Sequence, residues 1–509
     1  MEQINLGEFS KLTKLESFSK EDIIEKYSIL ELELMNVIRE NYELRKLKIS
    51  DDQIALLMTE QLGELRHTLY GASSERYKKP EKKKAPTPPK PRVKKPSERY
   101  PNIPVRENVI AMNPVPNCLS CGSAMSDSGM TEDSEQLTVI PKKYEIELQK
   151  RVKYRCQCQG CIQTAPAPAR IIQGSTYSDE MILDIILSKY CDLIPIGRYA
   201  AMAGRSGLVN LTPHSLIETT HPAALFYSPV YHLIKKYILN ARVLNADETP
   251  HKMLEGSEKK SWYLWGFSTP EHCFLECRDT RSGDVASEIL LNSKCEILVT
   301  DVYSGYGKAV RLSNVQRKLD KKPLIKSANC NAHARRYFYK PRLEYKEAEF
   351  YLDHYHEIYQ LESDANGKPP PEILKLRAQM VPLFEAMRKK AMEELPMYPN
   401  KNGYGRALNY FLENYKGLTL FLNDPEVPID NNSQERLLRN HVVGRKTWYG
   451  THSERGAQTA AILFTLVETC KLNHVNPREY FKKLTEDLLA GKAPYTPIDY
   501  KKFQSTLTG

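Results

Sequence analysis

Apolar positions change their period along the chain, and each change marks a boundary. Residues 21–48 carry Ile23, Leu30, Val37 and Leu44 at seven-residue steps, with Tyr27, Leu34 and Asn41 as the alternate seam. This heptad pattern predicts a coiled coil, and an Asn at a core position fixes register and favours dimers. An amphipathic helix packed on its own domain would show the same short run. A second helical stretch, Gln53 to Leu69, stops at Tyr70-Gly71. The pattern then vanishes: Lys78 to Lys95 reads KKPEKKKAPTPPKPRVKK, too polar and proline-rich for a core and therefore an extended linker. The boundaries expected are 20–71 for the coiled coil and 72–104 for the basic linker.

A period of two follows, at Leu137 and Val139, at Tyr144, Ile146 and Leu148, and at Val152 and Tyr154, which predicts short strands. Residues 176–240 turn helical. Within them Arg198 to Gly204, a break over Arg205 to Asn210, and Thr212 to Thr220 match a helix-turn-helix, although ordinary helix packing produces the same pattern. Beyond Arg242 the predicted order is a strand ending at Asp247, a hairpin of Trp262 to Phe267 and Cys273 to Cys277, a helix from Asp284 to Leu291, and a strand over Ile297 to Thr300. Leu324 to Ala328 supplies a fifth strand, and Asn331 to Tyr339 opens the next helix. Three strands, a helix and a fourth strand are the order of a ribonuclease-H-like fold, in which the first and fourth strands are neighbours. The helical pattern of residues 343–422 interrupts it as an insertion. A helix capped by Asp430 or Asn431 follows, then one from Ala457 to Leu472 with an apolar face for the sheet. The catalytic domain spans 241–475 and a helical tail 476–509. The fold class expected is a multidomain chain of mixed α+β and α/β character.

Composition changes this picture in three ways. A chain of 509 residues exceeds one core, so about two to four domains are expected. The formal net charge of +10 favours a polyanionic partner, and the Lys/Pro linker can track phosphates or merely stay solvated. No signal peptide and no long uncharged apolar run is evident, which predicts a soluble, cytoplasmic protein without membrane contact. Of the 11 cysteines, five crowd into Cys118, Cys121, Cys156, Cys158 and Cys161. Two knuckles joined by strands make a zinc ribbon in a zinc-binding domain over 105–172, with four thiolates around one structural Zn2+ in a reducing compartment. The second knuckle offers three sulfurs for two places.

The candidate chemistry lies at the strand ends. Asp247 and Asp301 each follow a short apolar run, and ligands gather beyond the carboxyl ends of such strands. Two neighbouring carboxylates repel unless a hard divalent ion lies between them. Glu435, on the capped helix and flanked by Arg436, Arg439, Arg445 and Lys446, supplies a third ligand. Three carboxylates suffice for two ions about 3.5–4 Å apart, the arrangement that cleaves phosphodiesters, with Mg2+ expected and Mn2+ able to substitute. Glu248 belongs on the opposite strand face. His333, Arg335 and Arg336 are candidates for binding a DNA phosphate, with His333 alternatively touching the scissile group, or for a helix start with salt-bridged arginines. Trp448, beside Arg445 and Lys446, is a candidate for stacking on an unpaired base or for a core contact.

The motifs Ala-Asp247-Glu-Thr-Pro, Asp301-Val-Tyr-Ser-Gly-Tyr, Asn-Ala-His333-Ala-Arg-Arg and Asp-Asn-Asn-Ser-Gln-Glu435-Arg, with Gly-Arg445-Lys-Thr-Trp448 behind the last, together resemble the transposases of the insertion sequence 66 family. The resemblance runs over nearly the whole chain and includes the family's leucine-zipper and zinc-finger regions. It implies an Asp-Asp-Glu triad of Asp247, Asp301 and Glu435, and metal-dependent cleavage and joining of DNA at the ends of a mobile element. It also implies dimeric or higher assembly, small accessory proteins of the same element, and a bacterial cytoplasm with the protein on the nucleoid when DNA-bound. Gln159 stands where the family pattern has the second cysteine of a pair starting at Cys156. A catalytically inert zinc-dependent DNA-binding regulator and a plain nuclease are the competing readings.

Overall fold

The computed structural model describes residues 95–508, apart from 111–112, 114, 118, 121, 127–128, 158–160, 255–260 and 399–401, together with Asn36. The expected coiled coil and most of the linker lie outside the described residues, as do Cys118, Cys121 and Cys158. Two compact units result, residues 73–148 and the rest of the chain. In the smaller unit, helix α1 (Pro96–Arg99) is a single turn, and the amide and hydroxyl of Ser97 both donate to the Glu135 carboxylate at 2.9 Å. An antiparallel bridge between Asn117 and Ala124 closes a turn. The strands expected over residues 137–148 do not form. Their apolar side chains find no covering layer, with Leu137 63% and Ile146 96% exposed, and alternation without a buried face does not specify a sheet.

In the larger unit, β1 (Lys153–Arg155) and β2 (Ile162–Thr164) pair as a small antiparallel ribbon. Four helices follow: α2 (Asp179–Tyr190), α3 (Ile196–Arg205), α4 (Pro213–Phe226) and α5 (Ser228–Asn240). Ser178 and Thr212 cap α2 and α4, and the break between α3 and α4 uses positive φ at Gly207 and Asn210.

The sheet comes next: β3 (Val243–Lys252), β4 (Ser261–Ser268), β5 (Cys273–Arg278), helix α6 (Gly283–Leu291), β6 (Ile297–Thr300), helix α7 (Ser304–Leu319) and β7 (Lys326–Asn329). Its five strands stand in the order β5-β4-β3-β6-β7. The first three are antiparallel, and β3, β6 and β7 are parallel. All four residues of β6 are buried, as expected of a strand covered on both faces. Leu298 joins one core, Ile297 and Val299 the other. One boundary differs from expectation. β3 continues past Asp247 to Lys252, because β4 pairs with it from Asn245 onwards after the β6 pairing stops at the same residue.

Helix α8 (Asn331–Tyr339) leads into the insertion, α9 (Ala348–Ala365), α10 (Pro370–Ala378), α11 (Val381–Glu394) and α12 (Gly403–Leu418). Its core is largely aromatic, with Phe338, Tyr351, Phe384, Tyr404 and Phe411 fully buried. The guanidinium of Arg377 closes the far end by donating to the carbonyls of Phe421, Asp424 and Val427. Arg242, just before β3, donates to both oxygens of Asp424 at 2.8 Å. The chain then returns to the sheet as α13 (Asn432–Trp448) and α14 (Glu454–Leu472), and ends in α15 (Pro477–Leu489) and α16 (Pro497–Thr508).

Helix α14 is buried almost all round, which makes it the central helix. It also covers the open edge of β5. Thr465 Oγ1 accepts the Leu275 amide at 2.9 Å, and Thr469 Oγ1 accepts the Cys273 amide at 3.3 Å and is 3.1 Å from its carbonyl. An edge strand so satisfied offers no template for another chain. Among the described residues no helix is long and apolar enough to cross a membrane.

Arg317 holds the α6–β6 corner. Its side chain is 2% exposed and donates to the carbonyls of Leu290, Ser293, Cys295 and Pro323 at 2.7–3.1 Å. A buried carbonyl left without a donor costs about 1–3 kcal/mol. Arg317→Leu is therefore expected to destabilise the protein by at least about 3 kcal/mol, read as an earlier midpoint in a urea titration followed by tryptophan fluorescence. An unchanged midpoint would show that water replaces the guanidinium at no cost.

Candidate active site

The register of β3 on β6, with Val243 opposite Ile297 and Asn245 opposite Val299, carries Asp247 to the level of Asp301. Asp301 closes β6 in a tight turn, its Oδ1 accepting the Tyr303 amide at 3.1 Å before α7 begins. Asp247 Oδ1 accepts the Glu248 amide at 2.9 Å. Glu435 comes from α13, one turn past Asn431, whose carbonyl accepts its amide at 3.2 Å. Asp247, Asp301, Glu435 and His333 line one cavity of about 210 Å³, with Glu248, Thr249 and Asn431 among its other walls.

Asn431 is the joint that brings the helix there. Of the two expected caps of α13, Asn431 stands at the cap position but its side chain makes no capping bond, while Asp430 Oδ1 accepts the Asn432 amide at 3.0 Å. Fully buried, Asn431 donates from Nδ2 to the Ala246 carbonyl at 2.8 Å and accepts from Asn245 Nδ2 at 2.8 Å. Its amide donates to Cys330 Sγ at 3.3 Å. The start of α13 is thereby tied to β3 beside Asp247 and to the start of α8. Gly266, opposite Asp247 on β4, allows the close approach, since a Cβ there would overlap Gln434 Nε2. Capping chemistry is visible in a sequence. A side chain turned instead onto another strand is not.

The insertion supports the same two helix starts. Asn331 is buried and donates to the carbonyls of Leu418 and Ile429 at 2.9 and 3.0 Å. Tyr359 on α9 donates to Asp430 Oδ2 at 3.0 Å.

Glu248, expected on the opposite strand face, also lines this cavity, but its carboxylate is already bonded. Its carboxylate accepts from Arg281 at 2.7 Å and from the Tyr306 hydroxyl at 2.6 Å. Asp247 has no such cationic partner among the described residues. Burial first, then the charges of Glu248 and Asp301, push its carboxyl up to about 8, with Glu435 adding to the effect. Two further atoms in the cavity are buried without a hydrogen-bond partner among the described residues, Glu435 Oε1 and His333 Nδ1, and they lie 3.7 Å apart. The carboxylates of Asp247, Asp301 and Glu435, the last with an orphaned oxygen, and an orphaned imidazole nitrogen, with no lysine or arginine among the lining residues, form a donor set that suits divalent cations.

The other expected site residues lie elsewhere. Arg335 and Arg336 are half-buried on α8, and the Arg335 guanidinium stands 5.6 Å from the Tyr339 ring centroid. Arg445, Lys446 and Trp448 end α13, about 15 to 20 Å along the helix from Glu435 at about 1.5 Å per residue. The Trp448 ring packs on the main core, lies over Gly444 so closely that a Cβ there would overlap it, and carries Lys189 Nζ 4.4 Å from its centroid. Cys156 and Cys161 flank the β1–β2 turn, the Cys156 amide donating to the Cys161 carbonyl at 3.2 Å.

The model of a family described as the transposase IS66 family matches residues 174–459, more than half of the 509-residue chain. That span holds Asp247, Asp301, His333 and Glu435 and begins after the five clustered cysteines. Three uncharacterised proteins of Sinorhizobium fredii are similar. The protein y4hP is 26% identical over 76% of this chain and 72% of its own length. For y4qI the figures are 27%, 70% and 68%, and for y4jD 24%, 75% and 76%. By the match over more than half its length, the chain belongs to the transposase IS66 family.

Proposed function

We propose that the protein binds the ends of its own mobile element and catalyses metal-dependent cleavage and strand transfer of DNA, with Asp247, Asp301 and Glu435 as the catalytic triad. The observation that carries this reading is the convergence of the three carboxylates, from a strand, a strand end and a helix start, in one cavity. The sheet order β5-β4-β3-β6-β7, with its antiparallel and parallel halves, supports a ribonuclease-H-like fold for this domain. Asp247 and Asp301 would be the primary ligands, and Glu435 the ligand of a second ion. Bound Mg2+ or Mn2+ ions would supply nucleophile activation, charge neutralisation at the phosphoryl group and stabilisation of the leaving oxygen. The triad carboxylates would hold those ions against the scissile phosphodiester, where water first attacks the phosphorus and breaks the bond to the 3′ oxygen, freeing a 3′ hydroxyl. That hydroxyl then attacks a target phosphate, one phosphodiester forming as another breaks. Glu435 lies in the first turn of α13, where the helix dipole favours its negative charge.

Binding to element ends and target DNA, assembly as a dimer or higher oligomer, and docking of small accessory proteins belong to the same proposal. So does a cysteine-bound structural zinc, which rests on the sequence spacing. Cys118→Ser is expected to release zinc and weaken end binding while leaving the triad's metal binding unchanged. Undiminished zinc content, measured by elemental analysis, would remove Cys118 from the ligand set.

Strand transfer with purified protein, labelled element ends and Mg2+ tests the main reading. Glu435→Gln, which keeps size and removes charge, should bind ends normally but lose about 10²–10³-fold in joining rate, as loss of a transition-state stabiliser does. A fully active variant excludes the triad. Cutting without joining by the wild type favours a plain nuclease, and binding with no metal-dependent reaction favours a regulator.

The site also predicts a pH signature. The folded state keeps a proton on Asp247 up to about pH 8, against an ordinary value of 3.8. In metal-free protein, stability tied to that proton is present at low pH and is lost as pH rises through the folded value. The melting temperature of metal-free wild type should fall more steeply between pH 5 and pH 8 than that of Asp247→Asn, and Mg2+ at pH 8 should raise the wild type selectively. Parallel curves would show that Asp247 carries no such penalty.

A further inference from the structure

We infer that His333 is a direct metal ligand, so that one of the two cation positions in the triad cavity has a nitrogen donor and differs in kind from the other. This inference rests on the triad reading and specifies its donor set.

The argument begins with the unmade hydrogen bond. His333 Nδ1 and Glu435 Oε1 are both buried and both lack a partner, yet they face each other at 3.7 Å. Buried polar atoms are normally satisfied, and leaving two unsatisfied side by side costs free energy twice. A separation of 3.7 Å is too long for a hydrogen bond. It suits two donors sharing one ion at bond lengths near 2.1 Å.

A third observation concerns the surroundings. Cys330 Sγ, His333 nitrogen and Glu435 oxygen all lie within 4.8 Å of one another. The sulfur accepts the Asn431 amide, so Cys330 supports the position from behind while His333 and Glu435 face the cavity. His333 is fixed in turn by the start of α8, where Asn331 is bonded to the carbonyls of Leu418 and Ile429. Asp247 and Asp301 offer oxygen alone, the donor set of Mg2+. Imidazole draws first-row transition ions. The two positions should therefore differ in selectivity, with the His333–Glu435 position preferring Mn2+ over Mg2+.

The competing account is a protonated His333 forming a loose ion pair with Glu435. Spin-echo spectroscopy of the full chain loaded with Mn2+ separates the two, because a directly coordinated nitrogen modulates the Mn2+ echo and a nearby imidazolium does not. Wild type should show that modulation. His333→Ala should abolish it and weaken Mn2+ binding at least about 10-fold, the lower end of what loss of even an outer partner costs, while Mg2+ binding at the aspartates persists. Cys330→Ser should retain the modulation. Mn2+ binding that depends on Asp301 and Glu435 but shows no nitrogen modulation would overturn the His333 assignment and leave the triad standing. Mn2+ binding indifferent to both Asp301→Asn and Glu435→Gln would overturn the triad itself.

Discussion

The structure depends on holding like charges together. Asp247, Asp301 and Glu435 share a cavity of about 210 Å³, and the burial and repulsion that result are strong enough to push the Asp247 carboxyl up to about 8. Left to themselves such groups would separate. They are prevented by connections that carry no charge: the parallel register of β3 on β6, and the Asn431 amide bonded to Ala246 and Asn245. Neutral hydrogen bonds position the carboxylates without neutralising them, which leaves their charge available to cations.

The neighbouring acid shows the opposite arrangement. Glu248 is one residue from Asp247, yet its carboxylate is bonded to Arg281 and Tyr306. Both acids line the cavity, and what separates their roles is the partners: Glu248 has a guanidinium and a hydroxyl, and Asp247 has neither among the described residues. Adjacent carboxylates on one strand thus acquire different chemistry from their surroundings alone.

The helical insertion has a positional role as well. Its aromatic core buttresses the starts of α8 and α13 through Asn331, Tyr355 and Tyr359, and Arg377 and Arg242 pin its return to the sheet. His333 and Glu435 are carried on helices that begin where the insertion leaves and rejoins the domain. Eighty residues that interrupt the fold in sequence, about 343–422, therefore complete its site in space.

Much of this was legible in the chain. The four-residue run Ile297–Thr300 and the helix Asn331–Tyr339 match their expected limits, because a doubly buried strand and a helix after a strand leave local patterns. The order of strands alone puts Asp247 beside Asp301. The strands expected over residues 137–148 failed, since alternation describes a side chain's direction and not whether anything covers it. β3 outran its expected end because a partner strand extended it. Sequence by itself determined most strands and helices of the larger unit and their order, which follow from local composition and period, while its motifs singled out the three acids. Only the tertiary structure decided that Asn431 joins helix to strand, that His333 faces Glu435 across an unmade hydrogen bond, and that Trp448 lies under Lys189. Those contacts bring together residues up to 259 positions apart, and no local pattern encodes which distant side chain a buried polar group will meet.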